Sequence, residues 1–544
     1  MRHAIRSSSF RKSTKLKSTF QEASPALHPR LADRDRAGDD GEIETFSLRT
    51  ILESAEYFCG DAVLFGGIAA TPATAEPGQL VVYRIGEGNP AKVIADAMAR
   101  GAAGILTEQV LPCPLPQCIV GDVELAMASV ASHTLNHPDR KMLTIGVTGT
   151  AGKTTTSLLI AAILRDCGVR TAYQTDLGEC DGVVQSTPAT GVPSGEALIH
   201  WYSEAGDGGC QVAIVELSDD DARHGMYDDV EFDVLLVTGN ASLSSDFGPS
   251  GLQCLLERLK PTGVVVACGD DEKAVQSIRD NGVRLISYGV RTSEDIVSQA
   301  HVDLTATLVE QSGGVSTLMI SQGETTSMME TNLCGRAMAS NHAAAATVGM
   351  LMNQPMSQVC ESLSRLRTVP GRVQRMTDFD YADVVIDAAG TPDRAAAAMR
   401  MARSMKSGSQ LWCVLVIGSN DHDSQLVQYG VELERYANKT VVTCEQSAKE
   451  TYLKKSHCLL DGVQQCAAMR LVADQERAIH WAIAEAKPND TILILGGIDR
   501  ATGHQQRTDI QQLKGWVESA RQAVGEPVAV PESAEPKILP FKTK

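Results

Sequence analysis

The segment from Met142 to Cys167, MLTIGVTGTAGKTTTSLLIAAILRDC, places the strongest constraint on the fold of this chain. An apolar run of strand type, Leu143 to Val147, leads into a glycine-bearing turn, and a helix with apolar periodicity begins at Lys153. Gly149 and Gly152 allow a tight turn and a close approach to a ligand, because glycine adopts positive φ at low cost. The start of the helix offers free N–H groups and the positive end of its dipole to an anion.

The side chains that open this helix complete a predicted phosphate site. Lys153 can reach the outer phosphates of a nucleotide, and the Thr154 hydroxyl can bind Mg²⁺. The usual Walker A pattern needs its first glycine at position 147, which is valine, so the motif is the shorter GTAGKTTT. The alternative, a glycine turn before a buried helix, leaves the Gly-Lys-Thr-Thr-Thr run unexplained. The predicted cofactor-binding residues here are Gly149, Thr150, Gly152, Lys153, Thr154 and Thr155.

Length and composition limit the class of protein. A chain of 544 residues is too long for one core and predicts three or four domains. The net charge of −18 argues against a nucleic-acid-binding surface. No apolar run approaches the ~18 residues of a membrane span. The 14 cysteines form no Cys-x-x-Cys pair, which favours reduced thiols and a cytoplasmic protein.

Strand-like runs alternate with helical segments over most of the chain, which predicts an α/β fold with parallel sheets covered by helices. Short alternating strands between residues 301 and 330 suggest a small antiparallel sheet on the central domain, and Val369-Pro370-Gly371-Arg372 marks a hinge. The predicted domains are a disordered basic tail at 1–42, an N-terminal α/β domain at 43–140, a central P-loop domain at 141–367, a C-terminal Rossmann-like domain at 368–525 and a tail at 526–544. A transit peptide is the alternative for the basic tail.

Two carboxylates stand where an apolar strand ends. Glu216 stands at the end of the apolar run QVAIVE, and Asp387 closes DVVID. A carboxylate in the middle of a sheet is costly unless it is paired or bound to a metal. We therefore treat both as candidate catalytic residues.

Several short motifs follow the GTAGKTTT segment in order, and each is weak alone. They are Ser186-Thr187-Pro188, Ile214-Val215-Glu216, GDDE at 269–272, SNHAAAA at 340–346, Pro370-Gly371-Arg372, and Asp387 with Thr391-Pro392-Asp393. With this order, the chain resembles the Mur ligases of peptidoglycan synthesis over about residues 60 to 500. Within that family it resembles the UDP-N-acetylmuramoyl-tripeptide synthetases of the MurE type.

The resemblance implies a three-domain architecture and an ATP- and Mg²⁺-dependent reaction. In that family, ATP phosphorylates a carboxylate of a UDP-linked muramyl peptide, and the amine of an amino acid then attacks the acyl phosphate to give an amide. The implied partners are therefore small-molecule substrates, without nucleic acid or a membrane span. The implied setting is cell-wall biogenesis, with its links to cell shape and division.

The resemblance also implies roles for individual residues. Lys153 and Thr154 would contact the phosphates and the first Mg²⁺, and Glu216 would be a ligand of that metal. Asn341 would lie near the adenine, although a helix N-cap is an alternative for this residue. Arg372 and Asp387 would act from the C-terminal domain, although Arg372 could also be a solvated hinge residue. Ser186 and Thr187 would contact the substrate.

The chain departs from the family pattern at positions for the second metal. Asp220 stands where the family has a histidine, and Leu243-Ser244 stands where it has Asp-His. Leu252 or Gln253 occupies the position of the lysine that becomes carbamylated. The run Asp219 to Asp221 could recruit a metal differently or be a solvated loop.

Further departures fall on the substrate pockets of the family. The signature for diaminopimelate, Asp-Asn-Pro-Arg, is replaced near Glu445-Gln446-Ser447-Ala448, and Gly-Lys-Gly-His-Glu is replaced by Gly496-Gly497-Ile498-Asp499-Arg500. Asp387-Ala388-Ala389-Gly390 lacks the family's Tyr and His, and Thr71-Pro72-Ala73 replaces Asp-Ser-Arg. Two hypotheses follow. The chain is a divergent ligase of an amino acid and a muramyl peptide, possessing weak activity, or it is an ATP-binding, non-catalytic paralogue that acts as a scaffold or regulator among cell-wall enzymes.

Overall fold

The computed structural model describes eleven stretches of the chain. They form two compact units, and the boundary between these units lies between Arg367 and Thr368. Of the last described stretch, residues 503–504 group with the first unit and residues 505–525 with the second. The described residues are 45–60, 64–69, 71–186, 194–239, 250–292, 302–312, 314–376, 381–405, 409–419, 421–498 and 503–525. The two predicted tails, at 1–42 and 526–544, lie outside these residues.

The N-terminal part of the first unit is a small α/β layer. Its elements are β1 Phe46–Ser47, α1 Leu48–Ile51, β2 Glu56–Phe58, β3 Leu64–Phe65, β4 Leu80–Tyr83, α2 Pro90–Arg100, β5 Gly104–Thr107, β6 Gln117–Ile119 and α3 Val123–Thr134. A sheet of order β2-β6-β5-β4 is parallel except at β2, and β1 pairs with β3. Helix α2 begins after Asn89, whose side chain accepts the N–H of Ala91, and ends at Gly101 in the left-handed region.

The rest of the first unit contains one large sheet and the helices that cover it. Its elements are β7 Leu143–Gly149, α4 Lys153–Asp166, β8 Thr171–Thr175, β9 Gly178–Cys180, β10 Gln185–Ser186, α5 Gly195–Asp207, β11 Val212–Glu216, α6 Asp219–Arg223, β12 Phe232–Thr238, α7 Gly251–Glu257, β13 Leu259–Cys268, α8 Glu272–Asp280, β14 Arg284–Thr292, β15 Leu304–Ser312, β16 Val315–Gln322, β17 Thr325–Thr331, α9 Arg336–Leu351 and α10 Met356–Arg365.

In the described part of the chain this sheet has the order β10-β9-β8-β11-β7-β12-β13-β14-β15-β16-β17. The strands from β8 through β11, β7, β12, β13 and β14 to β15 are parallel neighbours. The buried faces of β7, β11 and β12 carry near-continuous apolar runs, as expected for strands that are covered on both sides. The predicted P-loop domain with a parallel sheet is confirmed.

The segment predicted as a separate small antiparallel sheet differs from that prediction. Strands β15, β16 and β17 are antiparallel to one another, but β15 also pairs in parallel with β14. The three strands therefore extend the large sheet and do not form a sheet of their own. Alternation along each strand gives its local conformation but carries no information about which neighbour it joins.

The second unit is also a layered α/β structure. Its elements are β18 Gln374–Met376, β19 Asp383–Asp387, α11 Pro392–Met405, β20 Leu411–Ile417, α12 Asp423–Tyr436, β21 Lys439–Cys444, α13 Tyr452–Leu460, β22 Met469–Leu471, α14 Gln475–Glu485, β23 Thr491–Leu495 and α15 Gly503–Gly525. Its sheet has the order β18-β19-β23-β20-β21-β22, and only β18 is antiparallel to its neighbour. This is the predicted Rossmann-like arrangement. Within the described ranges, no helix is long and apolar enough to cross a membrane.

Candidate functional site

The turn between β7 and α4 has backbone geometry that requires glycine at two positions. Gly149 has φ +124° and Gly152 has φ +88°, both in the range that favours glycine. A Cβ atom at Gly149 would overlap the carbonyl of Thr238, and one at Gly152 would overlap the side-chain oxygen of Asn341. The turn is therefore closely packed against β12 and α9. Helix α4 begins at Lys153, as the sequence predicts.

Three predicted residues meet directly behind this turn. The Thr154 hydroxyl donates to the carboxylate of Glu216, at 2.8 Å from Oε2 and 3.1 Å from Oε1. The Lys153 ammonium lies 3.7 Å from Glu216 Oε1. The side chains of Lys153 and Glu216 are only 14% and 5% exposed. A hydroxyl, a carboxylate and an ammonium thus converge at the N-terminus of one helix.

Strand register explains how Glu216 reaches the turn. Strand β11 runs parallel beside β7, and Glu216 pairs in register with Val147. The carboxyl ends of these strands therefore meet at the edge of the sheet where α4 begins. A third donor fixes the carboxylate, since the backbone N–H of Asp176 donates to Glu216 Oε2 at 3.2 Å. Asp176 lies in the turn between β8 and β9, and no pattern in the sequence predicts this contact.

Carboxylate and hydroxyl oxygens are ligands that Mg²⁺ prefers, and a helix N-terminus beside a lysine suits phosphate. Thr154 and Glu216 could therefore hold a divalent ion, and Lys153 could contact phosphate oxygens. Thr150 is exposed at the tip of the turn, whereas Thr155 is buried in the first turn of α4. The donor set and the glycine turn fit a magnesium-bound nucleotide.

Asn341 lies in the body of a helix. Helix α9 begins at Arg336 and has Gly335 as its N-cap residue, so the N-cap alternative for Asn341 is wrong. The side chain is almost fully buried, and its Oδ1 lies against Gly152. Its Nδ2 donates weakly to Met338 Sδ at 3.6 Å. The structure therefore brings Asn341 to the glycine turn.

The neighbouring His342 is fully buried, and its burial makes the folded state less stable at low pH. Its Nδ1 donates to the carbonyl of Met338 at 2.7 Å, and its Nε2 has no hydrogen-bond partner among the described residues. Burial lowers the pKa of His342 from its ordinary value to about 4. Because the unfolded chain binds a proton near pH 6.5 and the folded chain does not, stability falls as the pH drops from about 6.5 towards 4.

We expect His342 to remove about 2 kcal/mol from the free energy of unfolding between pH 7 and pH 5. In His342→Leu this part of the pH dependence should disappear, as measured by urea unfolding at the two pH values. His200→Leu, on an exposed site, is the matched control and should keep the wild-type difference. An unchanged pH dependence in His342→Leu would contradict the prediction.

In the second unit, Asp387 and Arg372 lie close to each other. Asp387 ends β19 and is 9% exposed, and its Oδ2 accepts the N–H of Val373 at 2.9 Å. Burial raises the pKa of Asp387, and the positive charge of Arg372 partly opposes that increase. Val373 has φ +46°, which is unusual for a β-branched residue and indicates local strain. Arg372 is half-buried, so it is not a fully solvated hinge residue.

Some positions named in the sequence analysis fall on residues or side chains that the structure does not describe. Ser186 lies in β10, but its side chain is not described; Thr187 and the pair Leu243-Ser244 lie outside the described residues. Leu252 is buried on α7, and its neighbour Gln253 is exposed.

The acidic run forms the short helix α6, where Asp219 and Asp220 pair with Arg223 at 3.4 and 2.8 Å. Over the described stretches, no group of three or more His, Cys, Asp or Glu side chains is arranged to hold a metal. The run is therefore a helix and not the loop of the solvated alternative, and its carboxylates at Asp219 and Asp220 are paired with Arg223.

Two family models match this sequence. The model described as the Mur ligase middle domain matches residues 147–242, and the one described as the Mur ligase glutamate ligase domain matches residues 371–498. Two curated relatives are each described as a UDP-N-acetylmuramoyl-L-alanyl-D-glutamate–2,6-diaminopimelate ligase. The relative from Chlorobium phaeobacteroides is 27% identical and covers 80% of this chain and 87% of its own length. The one from Thermosynechococcus vestitus is 28% identical and covers 77% and 86%.

Solved structures are similar over most of the chain. A UDP-N-acetylmuramoyl-L-alanyl-D-glutamate–2,6-diaminopimelate ligase is 20% identical, with a TM-score of 0.58, covering 88% of this chain and 100% of its own. The MurF ligase from Thermotoga maritima in complex with ADP is 16% identical, with a TM-score of 0.56, covering 84% and 98%. At these identities the likeness concerns the fold, which is the three-domain architecture that the sequence predicts.

Proposed function

We propose, from the Mur ligase middle and C-terminal domains that this chain contains, that it is an ATP-dependent ligase. The proposed reaction joins the amine of an amino acid to a carboxylate of a UDP-N-acetylmuramoyl peptide through an acyl phosphate. Its homologues are MurE-type ligases by their descriptions, and they support the reaction class.

The observation that carries this proposal is the convergence of Lys153, Thr154 and Glu216 at the start of α4. These residues and the glycine turn fit the phosphates of ATP and one Mg²⁺ ion, which supplies charge neutralisation on the phosphate oxygens when bound. Lys153 would hold the outer phosphates, and Thr154 with Glu216 would hold the metal. Asn341 would contact the base from the side of Gly152.

The residues of the second unit would serve the chemistry of the acceptor. Asp387 lies at the carboxyl end of β19, and burial raises its pKa. The positive charge of Arg372 acts in the opposite direction and lowers the pKa of Asp387. In an α/β sheet, ligands bind at the carboxyl ends of the strands. We assign Asp387 a catalytic role and Arg372 a role in nucleotide contact on this basis.

We extend the proposal to the rest of the chain. Residues 43–140 form the domain for the UDP-linked substrate, 141–367 the nucleotide domain and 368–525 the ligase domain, and Ser186 and Thr187 contact the substrate. All 14 cysteines are free thiols, which supports a cytoplasmic location, where the nucleotide substrates are found. Cell-wall enzymes are proposed partners.

The second candidate function is an ATP-binding scaffold or regulator without ligase activity. The observation behind it is that this chain departs from the family pattern at Asp220, Leu252 and Glu445. The relatives named above are all described as ligases, so they give this alternative no additional support. We therefore retain the ligase as the main proposal.

The test is an assay of purified protein with ATP, MgCl₂, UDP-N-acetylmuramoyl dipeptide and a panel of amino acids. We expect ADP and phosphate release that depends on both acceptor and amino acid, together with an amide product detected by mass spectrometry. Nucleotide binding without any amide product across the panel would favour the scaffold. Absence of nucleotide binding would contradict both functions and leave only the fold.

A further inference from the structure

Lys455 on α13 is a buried lysine whose charge is held by backbone groups. The residue is 8% exposed. Its ammonium donates to the carbonyl oxygens of Gly418, Ser419 and Asp421, at 2.8, 2.7 and 3.0 Å. We call these three carbonyl groups the carbonyl cage.

Burying an ammonium group is costly unless its hydrogen bonds are made. Here the three donors of the ammonium match three acceptors, and all of them are backbone carbonyls. Gly418 and Asp421 are also joined directly, since the Gly418 N–H donates to Asp421 Oδ2 at 2.8 Å. Inward-pointing carbonyls that replace the hydration shell of a cation are the arrangement that binds K⁺ in selectivity filters. The Lys455 ammonium is therefore a covalently attached cation that the carbonyls of Gly418, Ser419 and Asp421 coordinate.

The carbonyl cage lies at the carboxyl edge of the sheet in the second unit. Strand β20 pairs in parallel with β23, where Leu415 is opposite Leu495, and Leu495 is opposite Asp387 on β19. Gly418 follows directly after β20, so it stands at the same edge as Asp387. Glu445, the residue after β21, lies beside this strand end: its N–H donates to the Ile417 carbonyl at 3.0 Å, and a Cβ atom added at Gly418 would lie 3.4 Å from its carboxylate.

We propose that Lys455 is a positioning residue: its ammonium holds the carbonyl cage, and the cage shapes the wall of the acceptor site beside Asp387 and Glu445. The last part of this inference rests on the proposed ligase function, whereas the cage itself does not. Lys455 does not contact substrate in this account. It acts through the backbone of Gly418, Ser419 and Asp421.

The first experiment measures the cage without any enzyme assay. Amide hydrogen exchange of the peptide that contains Gly418, Ser419 and Asp421 is compared in wild type, Lys455→Ala, Lys455→Met and Lys454→Ala. Lys454 is the matched control, because it is the adjacent lysine and its side chain is 77% exposed. We expect exchange to rise at least about tenfold in both Lys455 variants and to stay at the wild-type rate in Lys454→Ala.

The second experiment supplies an external cation to the emptied cage. In Lys455→Ala, KCl or NH₄Cl should restore slow exchange, and tetramethylammonium chloride at equal ionic strength should not. Lys455→Met should not respond to any of the salts, because its side chain fills the space without a charge. Equal amide exchange rates in Lys455→Ala and Lys454→Ala would show that Lys455 does not hold the carbonyl cage. Equal slowing of exchange by all three salts in Lys455→Ala would show the same.

The third experiment tests positioning in the ligase reaction. We expect kcat/KM for the amino acid to fall about 10²-fold in Lys455→Ala, with recovery in K⁺ or NH₄⁺ and little change in KM for ATP. If amide exchange rises in Lys455→Ala but kcat/KM for the amino acid stays at the wild-type value, the positioning role is overturned. Absence of turnover in wild type would overturn the ligase function and with it the acceptor site, while the exchange data would still decide the cage.

Discussion

Lys153→Ala is expected to remove ATP-dependent turnover while the chain remains folded. The Lys153 ammonium is mostly buried at the start of α4 and lies 3.7 Å from Glu216. In the proposed complex it would neutralise charge on the outer phosphates, and removal of one such group costs about 10²–10³-fold in turnover. Affinity for MgATP should fall with it, because Lys153 would contact the phosphates in the complex directly.

Calorimetric titration with MgATP and an assay of phosphate release would test this expectation on the same samples. Lys273→Ala is the control, because Lys273 is an exposed lysine on α8. We expect its binding and turnover to match wild type. The unfolding midpoint of Lys153→Ala should change by only about 4 °C or less, since Glu216 keeps its bonds from Thr154 and the Asp176 N–H. Wild-type affinity in Lys153→Ala would mean that the turn does not bind phosphate.

Glu216→Gln is expected to uncouple nucleotide binding from magnesium. The substitution keeps the size of the side chain and its contact with Thr154 but removes the negative charge that the metal requires. The glycine turn and the N-terminus of α4 remain, so ATP should still bind weakly. We expect affinity in MgCl₂ to fall to the value measured in EDTA, and turnover to fall about 10²–10³-fold.

The measurement is a pair of calorimetric titrations with ATP, one in MgCl₂ and one in EDTA. Asp220→Asn serves as the control, because this carboxylate is exposed on α6 and pairs with Arg223. Its two titrations should differ as they do in wild type. If Glu216→Gln keeps the full difference between MgCl₂ and EDTA, Glu216 is not a metal ligand and its burial has a structural cause.

Most of the local structure could be predicted from the sequence. The strand at Leu143, the helix start at Lys153 and the end of α2 at Gly101 follow from apolar periodicity and from residues that favour a turn. The start of α9 was missed, because the residues before Asn341 carry neither a side-chain cap nor a clear apolar period. That error is what made the N-cap interpretation of Asn341 possible.

The pairing of strands could be predicted only in part. Buried apolar runs predict a parallel sheet, which β7, β11 and β12 form. The continuation of that sheet through β15 to β17 was predicted as a separate sheet. Short strands such as β9 and β10 were also missed, since so few residues do not establish a period.

The sequence by itself determined the glycine turn, the helix behind it and the candidate residues Lys153, Thr154 and Glu216, because positive φ and apolar periodicity are set by neighbouring residues. Only the tertiary structure decided that Thr154 and Glu216 meet, that the Asp176 N–H joins them, and that Asn341 packs on Gly152. It also decided that the Lys455 ammonium donates hydrogen bonds to three backbone carbonyls. These contacts join residues far apart in the chain, and they depend on strand register and helix packing, which no single stretch of sequence contains.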